Sequence, residues 1–227
     1  MNKLFISTIS SGLVRKILAL CVVVLIASFL GYLVENIWVS LRHGYIDNRG
    51  MYLPCLLGYG LANLVIFALF GTPDQPKLYL LQNCVSDSVS EHFLYALEVF
   101  VFITVCESAF GHLIYHVCHV KWWNYNSIPL HIGQYTSIPT SIGFTACIYI
   151  YIQKIFTPIY TFLLETDIER YGTIILSLTI LAIADCVYGL YYMYKHHTVN
   201  ILFRRKVSLS IPFGWNRYSL HGSSKPS

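Results

Sequence analysis

Eighteen consecutive uncharged residues, Ile17 to Val34, run directly into a carboxylate, Glu35. An apolar run of this length is what a membrane-crossing helix needs, since about 20 residues span the hydrocarbon. A carboxylate at the edge of that hydrocarbon is costly unless it is paired, hydrated or used. Further along, Arg49 precedes a second uncharged run that lasts until Asp74. The hairpin from Phe29 to Gly60, FLGYLVENIWVSLRHGYIDNRGMYLPCLLGYG, therefore joins two apolar segments through an acid and a base.

The rest of the chain has the same character. Of 227 residues, 56% are hydrophobic and 11% are charged, where a soluble domain carries about a quarter charged. One soluble core could not hide so much apolar surface, so the chain reads as an integral, multi-pass membrane protein. Its fold class is all-α, a polytopic bundle of about five transmembrane helices. The net charge of +4 suits basic membrane flanks and does not point to nucleic acid. Seven cysteines occur without a C-x-x-C pair and read as small buried hydrophobes. The sequence holds no G-x-x-x-x-G-K-[ST], H-E-x-x-H or G-x-S-x-G motif. No catalytic residue, cofactor or metal ligand is assigned, and enzymatic activity is not favoured.

The segmentation expected is an N-terminal flank over 1–16, a helix bundle over 17–194 and a basic, flexible tail over 195–227. The spans are 17–39, 51–70, 93–117, 137–155 and 173–194. The basic start followed by an apolar core resembles a signal peptide, but the run is too long, so it reads as a retained first span. Pro54 is expected in the first turn of the second span, where a missing N–H is tolerated. Five crossings put the two ends of the chain on opposite sides. The excess of Lys and Arg on the tail side makes the C-terminus cytoplasmic by the positive-inside rule.

Spans one, three and five then run in one direction, which brings polar residues to one level. Glu35, Glu107 and Asp185 fall toward the tail side, as do Asn48 and Arg49 at the head of span two. Each acid has a glycine four residues away: Gly31 with Glu35, Glu107 with Gly111, Asp185 with Gly189. Residues so spaced share a helix face, and small residues let helices approach in a bilayer. The acids are thus expected to face the bundle interior, with Arg49 as counter-charge. Glu35, Asn48, Arg49, Glu107 and Asp185 form the candidate substrate or ion site. A purely structural ion-pair network is the competing reading.

The loop after span three carries Trp122, Trp123, Tyr125 and His131, expected to lie over this site, although an aromatic belt at headgroup level explains the tryptophans equally. His112, His116 and His119 share a helix face and read as interfacial histidines.

FLGYLVENIW, NRGMYLPCLLGYG and CESAFGHLIYHVCHVKWWNYNSIPLHIG together resemble the CmpB-like, ABC-transporter type IV membrane family. The resemblance covers most of Phe29 to Tyr194. It implies a G-x-x-x-E end to span one (Gly31, Glu35) and an N-R-G-x-x-x-P turn into span two (Asn48, Arg49, Gly50, Pro54, then Tyr59 and Gly60). It also implies an acidic third span leading to W-[DN]-Y (Glu107, Trp123, Asn124, Tyr125). Asn124, Tyr115, His131 and Gln134 depart from the residues the family pattern would put there. Gly31, Gly50, Pro54, Gly60, Gly111 and Gly189 are the expected packing positions. The family label implies a transporter or permease component with a polar site open to the C-terminal side. Its partners would be the lipid bilayer and either a separate ATPase subunit or a second copy of the chain. Two other readings stay open: an enzyme acting on lipid headgroups, and a non-catalytic structural or regulatory membrane protein.

Overall fold

The computed structural model describes residues 2–80 and 87–207, with side chains from Gly12 onward. It is a helix bundle. Helix α1 covers Asn2–His43, α2 Leu57–Phe70, α3 Ser88–Cys118, α4 Ile138–Tyr151, α5 Thr157–Glu165 and α6 Gly172–His196. Three short two-stranded ladders decorate it. They pair β1 (Tyr45–Asp47) with β6 (Arg204–Lys206), β2 (Gly71–Thr72) with β3 (Gln75–Pro76), and β4 (His131–Ile132) with β5 (Thr136–Ser137).

Among the described residues, four helical segments are long and apolar enough to cross a membrane: Gly12–His43, Ser88–Cys118, Ile138–Glu165 and Ile168–His196. The third is continuous because α4 passes into α5 through a π-helical turn, Ile152–Phe156. Pro158 supplies the reason. It has no N–H to give to the preceding turn, and helices accommodate such a gap by a local bulge. The hydroxyl of Thr157 takes up the Ile152 carbonyl at 2.7 Å.

The second span differs from the expected one. Its helix begins at Leu57, not Met51, and has 14 residues, about 21 Å at 1.5 Å per residue. Met51 to Leu56 are not helical, and Pro54 precedes the helix instead of standing in its first turn. The sequence MYLPCL is apolar enough for a helix. Proline disfavours helical geometry in the residue before it, and a better set of partners is available for these backbone groups.

Backbone amides at membrane depth must be satisfied within the protein, and here each is. Met51 N–H donates to the Asn48 carbonyl, Cys55 to Leu53 and Leu56 to Ser28. Tyr52 and Leu53 donate to the two carboxylate oxygens of Asp185, at 2.9 and 2.8 Å. Pro54 has no N–H. The segment descends beside α6 because Gly189 lets the backbone of Gly50 and the side chain of Met51 lie directly against it.

The main core joins α1 to α4 through Val23, Ala27, Ile66, Tyr95, Val99 and Ile152. A second cluster, around Leu18, Ala19, Ile168 and Ile175, closes the N-terminal end of the bundle. There Arg15 Nε approaches Glu169 Oε1 at 3.5 Å. A third, around Ile114, Cys118, Val120 and Met193, closes the other end, where His119 and His197 cap α3 and α6 in left-handed conformation.

Two expected boundaries shift. The N-terminal stretch assigned to a flank is helical from Asn2. The first part of the expected tail carries regular structure. α6 continues to His196, and Arg204–Lys206 pairs with Tyr45–Asp47 in antiparallel register. Asn48 locks that return, accepting from Leu202 N–H at 3.0 Å and donating to Asn200 carbonyl at 2.9 Å. Residues 208–227, the rest of the expected flexible tail, lie outside the described residues.

Replacing Asp185 by Ala removes the acceptor for two backbone amides at once. Each buried N–H left unpaired costs about 1–3 kcal/mol. The expected outcome is a large fall in melting temperature in detergent for Asp185→Ala, and a smaller one for Asp185→Asn, whose carbonyl keeps one acceptor.

Candidate functional site

The site is assembled by α1, the turn after β1, α2, α3 and the loop before α4. Glu35 lies in the later part of α1. Its Oε2 pairs with Arg49 Nη2 at 3.3 Å, and its Oε1 accepts the Tyr59 hydroxyl at 2.7 Å. Both charged side chains are largely withdrawn from the surface, Arg49 at 16% and Glu35 at 19% exposure.

Arg49 reaches Glu35 because of its backbone. Its φ is +52° and that of Gly50 is +87°. A left-handed arginine is uncommon, and Asp47 stabilises it, its Oδ1 accepting the Arg49 N–H at 2.9 Å. The same oxygen lies 3.6 Å from Arg49 Nη1, and Oδ2 lies 3.6 Å from Arg204 Nη2. Asp47 is itself anchored to α1: its N–H donates to Asn36 Oδ1 at 3.0 Å, and its carbonyl accepts the Tyr32 hydroxyl at 3.2 Å.

Glu107 enters from α3, within electrostatic reach of Glu35 and faced by Thr136 and Tyr125. Its Oε2 is buried and has no hydrogen-bond partner among the described residues, and neither does Arg49 Nε. Tyr125 lies in the loop after α3. Burial, then the charges of Glu107 and Glu35, hold its phenol well above the ordinary value. It therefore stays protonated at physiological pH, with its hydroxyl facing Glu107.

The acid–glycine spacing has a concrete meaning in this geometry. Each glycine admits a neighbouring segment, and that segment brings a polar group to the acid one turn away. Gly31 receives the ring of Tyr59, whose hydroxyl bonds Glu35. Gly111 receives the ring of Tyr135, which places Thr136 against Glu107. Gly189 receives Gly50 and Met51, whose successors bond Asp185. Gly60 is different: it lies against Ser28 and the Val24 carbonyl and brings α2 onto α1.

Of the residues expected to form one site, Glu35, Arg49 and Glu107 come together. Asn48 and Asp185 do not join them, being occupied with backbone groups of the tail and of Met51–Leu56. The loop residues also separate. Tyr125 points into the cluster. Trp123 stacks on Phe110 and donates its indole N–H to the Tyr135 carbonyl at 2.8 Å. Trp122 packs on the Met193 cluster and walls a small cavity of about 110 Å³ with Tyr45, Asp47, Arg49, Val199, Ile201 and Arg204. His131 is exposed and bonds only the nearby Ile128 carbonyl, at 3.1 Å. His112 and His116 stack with centroids 6.5 Å apart, and they and His119 are exposed.

Tyr59, Asp47, Asn36 and Thr136 were not singled out from the sequence. Tyr59 was visible in the resemblance but reads as one of many tyrosines in an apolar helix. Asp47, two residues before Arg49, is the one with a local signal.

Residues 22–190 match the family described as "Putative ABC-transporter type IV". The chain belongs to this family. The match takes in α1 from its midsection to the last turns of α6, hence every residue of the cluster. Together with the four apolar helices it supports an integral membrane protein, in a family whose description points to ABC transport. No curated protein and no solved structure matches it.

Removing one partner of a buried ion pair leaves the other uncompensated, at a cost of about 3–5 kcal/mol. Arg49→Met leaves Glu35 with no counter-charge and Asp47 with Arg204 alone, and should lower the melting temperature more than Glu35→Gln does. The double variant Glu35→Gln/Arg49→Met should recover part of the loss. Thermal unfolding of the three variants in detergent checks the order.

Proposed function

We propose that the chain is a transporter membrane component in which Glu35, Arg49 and Glu107 bind a cation or carry a proton, in a polar site open toward the C-terminal side. The observation that carries this reading is incomplete satisfaction. A cluster serving only to hold helices together is expected to be fully hydrogen-bonded, because an unpartnered polar atom in a low-dielectric interior is costly. Here a carboxylate oxygen of Glu107 and the Nε of Arg49 are both buried without a hydrogen-bond partner among the described residues. An intramembrane carboxylate in that condition has capacity for an exchangeable proton or cation.

The surroundings support the same reading. Tyr59 donates to Glu35, the neutral phenol of Tyr125 faces Glu107, and Arg49 offsets one of the two carboxylate charges. The non-helical Met51–Leu56 stretch beside the cluster has the character of the broken segments that line transporter sites. With no phosphate-binding loop in the sequence, ATP would be hydrolysed on a separate subunit. Exposed Lys and Arg on the tail side support a cytoplasmic C-terminus.

The test is ion movement in liposomes. Vesicles containing the full chain and a trapped dye selective for protons, Na⁺ or K⁺ are challenged with a gradient of the matching ion. The parent is expected to dissipate at least one gradient, and Glu107→Gln to slow this at least tenfold while melting at a similar temperature. A parent that moves none of the three ions, or a Glu107→Gln variant as fast as the parent, overturns the reading.

A further inference from the structure

The acids and bases at the tail end of the bundle are sorted by depth. Glu35, Asp47, Glu107 and Asp185 are all buried or half-buried. Outside them, Lys121, Lys195, Arg204, Arg205 and Lys206 are exposed, and Arg42 is half-exposed. No exposed acidic side chain accompanies these cations among the described residues. The segment that follows, residues 208–227, contains no Asp or Glu at all, so it brings no acidic side chain to neutralise them. The opposite end of the bundle is mixed, with Asp74, Glu91, Glu165 and Glu169 among its lysines and arginines.

The densest part of this basic face is the last described strand. Ile201, Leu202 and Phe203 are 45–50% exposed and immediately precede Arg204, Arg205 and Lys206. The chain here is not a loose tail. Asn48 holds Leu202 and Asn200 from below. β6 then pairs outward along β1, with Arg204 opposite Asp47 and Lys206 opposite Tyr45, and Val207 N–H reaches the Gly44 carbonyl. Gly44 follows the last residue of α1. The segment thus climbs from the level of Asn36 to the end of a membrane-crossing helix, its apolar half deeper and its basic half at the rim.

We propose that this Ile201–Lys206 strand is a docking surface for the headgroups of anionic phospholipids in the bilayer that the protein spans. The apolar triplet contacts the acyl boundary and the three cations take the phosphates. Arg204 is the residue nearest a seat. It lies over the Tyr45 ring at 4.3 Å and borders the small cavity walled by Tyr45 and Trp122, aromatic types that favour the headgroup level. A soluble anion would have no use for three exposed apolar side chains beside the cations, so the lipid is the occupant these residues fit. The inference does not depend on what the Glu35–Glu107 cluster does.

Each cation near an anionic surface strengthens attachment about fivefold. The full chain, purified in a neutral detergent, is titrated with phosphatidylglycerol, phosphatidylcholine or inorganic phosphate, and bound lipid is counted by native mass spectrometry. Phosphatidylglycerol should bind well ahead of phosphatidylcholine. Arg204→Gln/Arg205→Gln/Lys206→Gln should weaken it about a hundredfold. Arg204 also pairs with Asp47, so Arg205→Gln/Lys206→Gln serves where the triple variant does not fold, with an expected loss of about thirtyfold. Lys16→Gln/Lys154→Gln, at the opposite end, should leave binding unchanged. Equal retention of the two lipids, displacement of phosphatidylglycerol by millimolar phosphate, or an equal loss in the opposite-end variant would overturn the proposal.

Discussion

A backbone N–H in hydrocarbon has no water to turn to, and the arrangement of the tail-side half of this bundle follows from that. The chain between Asp47 and Leu57 leaves helical geometry while still beside the membrane helices, so its amides need fixed acceptors. Asp185 provides two, Asn48 and Ser28 provide backbone carbonyls, and proline removes one donor from the count. Because Asp185 stands on α6, α6 must lie against this segment. Because Leu56 donates to Ser28, α1 must lie against it from the other side. The position of Arg49, and hence of its ion pair with Glu35, is a consequence of that docking.

The polar cluster rests on the same economy of space. A tyrosine ring on Gly31 and another on Gly111 fill gaps that a larger residue would close, and the polar groups that meet Glu35 and Glu107 arrive with those segments. Packing and electrostatics are therefore one design in this region: the glycine that lets two segments touch also decides which donor the acid receives. Within this cluster, Glu107 Oε2 and Arg49 Nε are left without a hydrogen-bond partner among the described residues.

Much of this was legible from residue order. Apolar runs located the helices, because composition over about 20 residues is a strong signal in a bilayer. The spacing of acid and glycine can be read from sequence because helical periodicity is local information. The departure of Met51–Leu56 from the helix was not legible. Its residues are apolar, a proline is acceptable in a first turn, and the acceptor that favours the irregular path is a side chain far away in the chain. Pairing of Arg204–Lys206 with Tyr45–Asp47 was hidden for the same reason: a basic stretch carries no strand pattern, and its partner strand has three residues. Asn48 and Asp185 looked like members of a site because polar residues at one depth look alike in sequence. Only their bonding separates those that hold backbone from those that face each other.

The π turn at Ile152–Phe156 sets the rotational phase of the third long span. A residue advances an α-helix by about 100°, so one residue more in a turn rotates everything beyond it by that amount relative to everything before. In this span the residues before and within the turn, Ile148, Tyr151, Ile152 and Phe156, face the central core, and beyond it Ile159, Tyr160, Leu163 and Leu164 still meet α1 and its neighbours. Without the extra residue those four side chains would sit about 100° away from their present direction. The bulge is a phase corrector, letting a single continuous helix present two successive faces to the bundle.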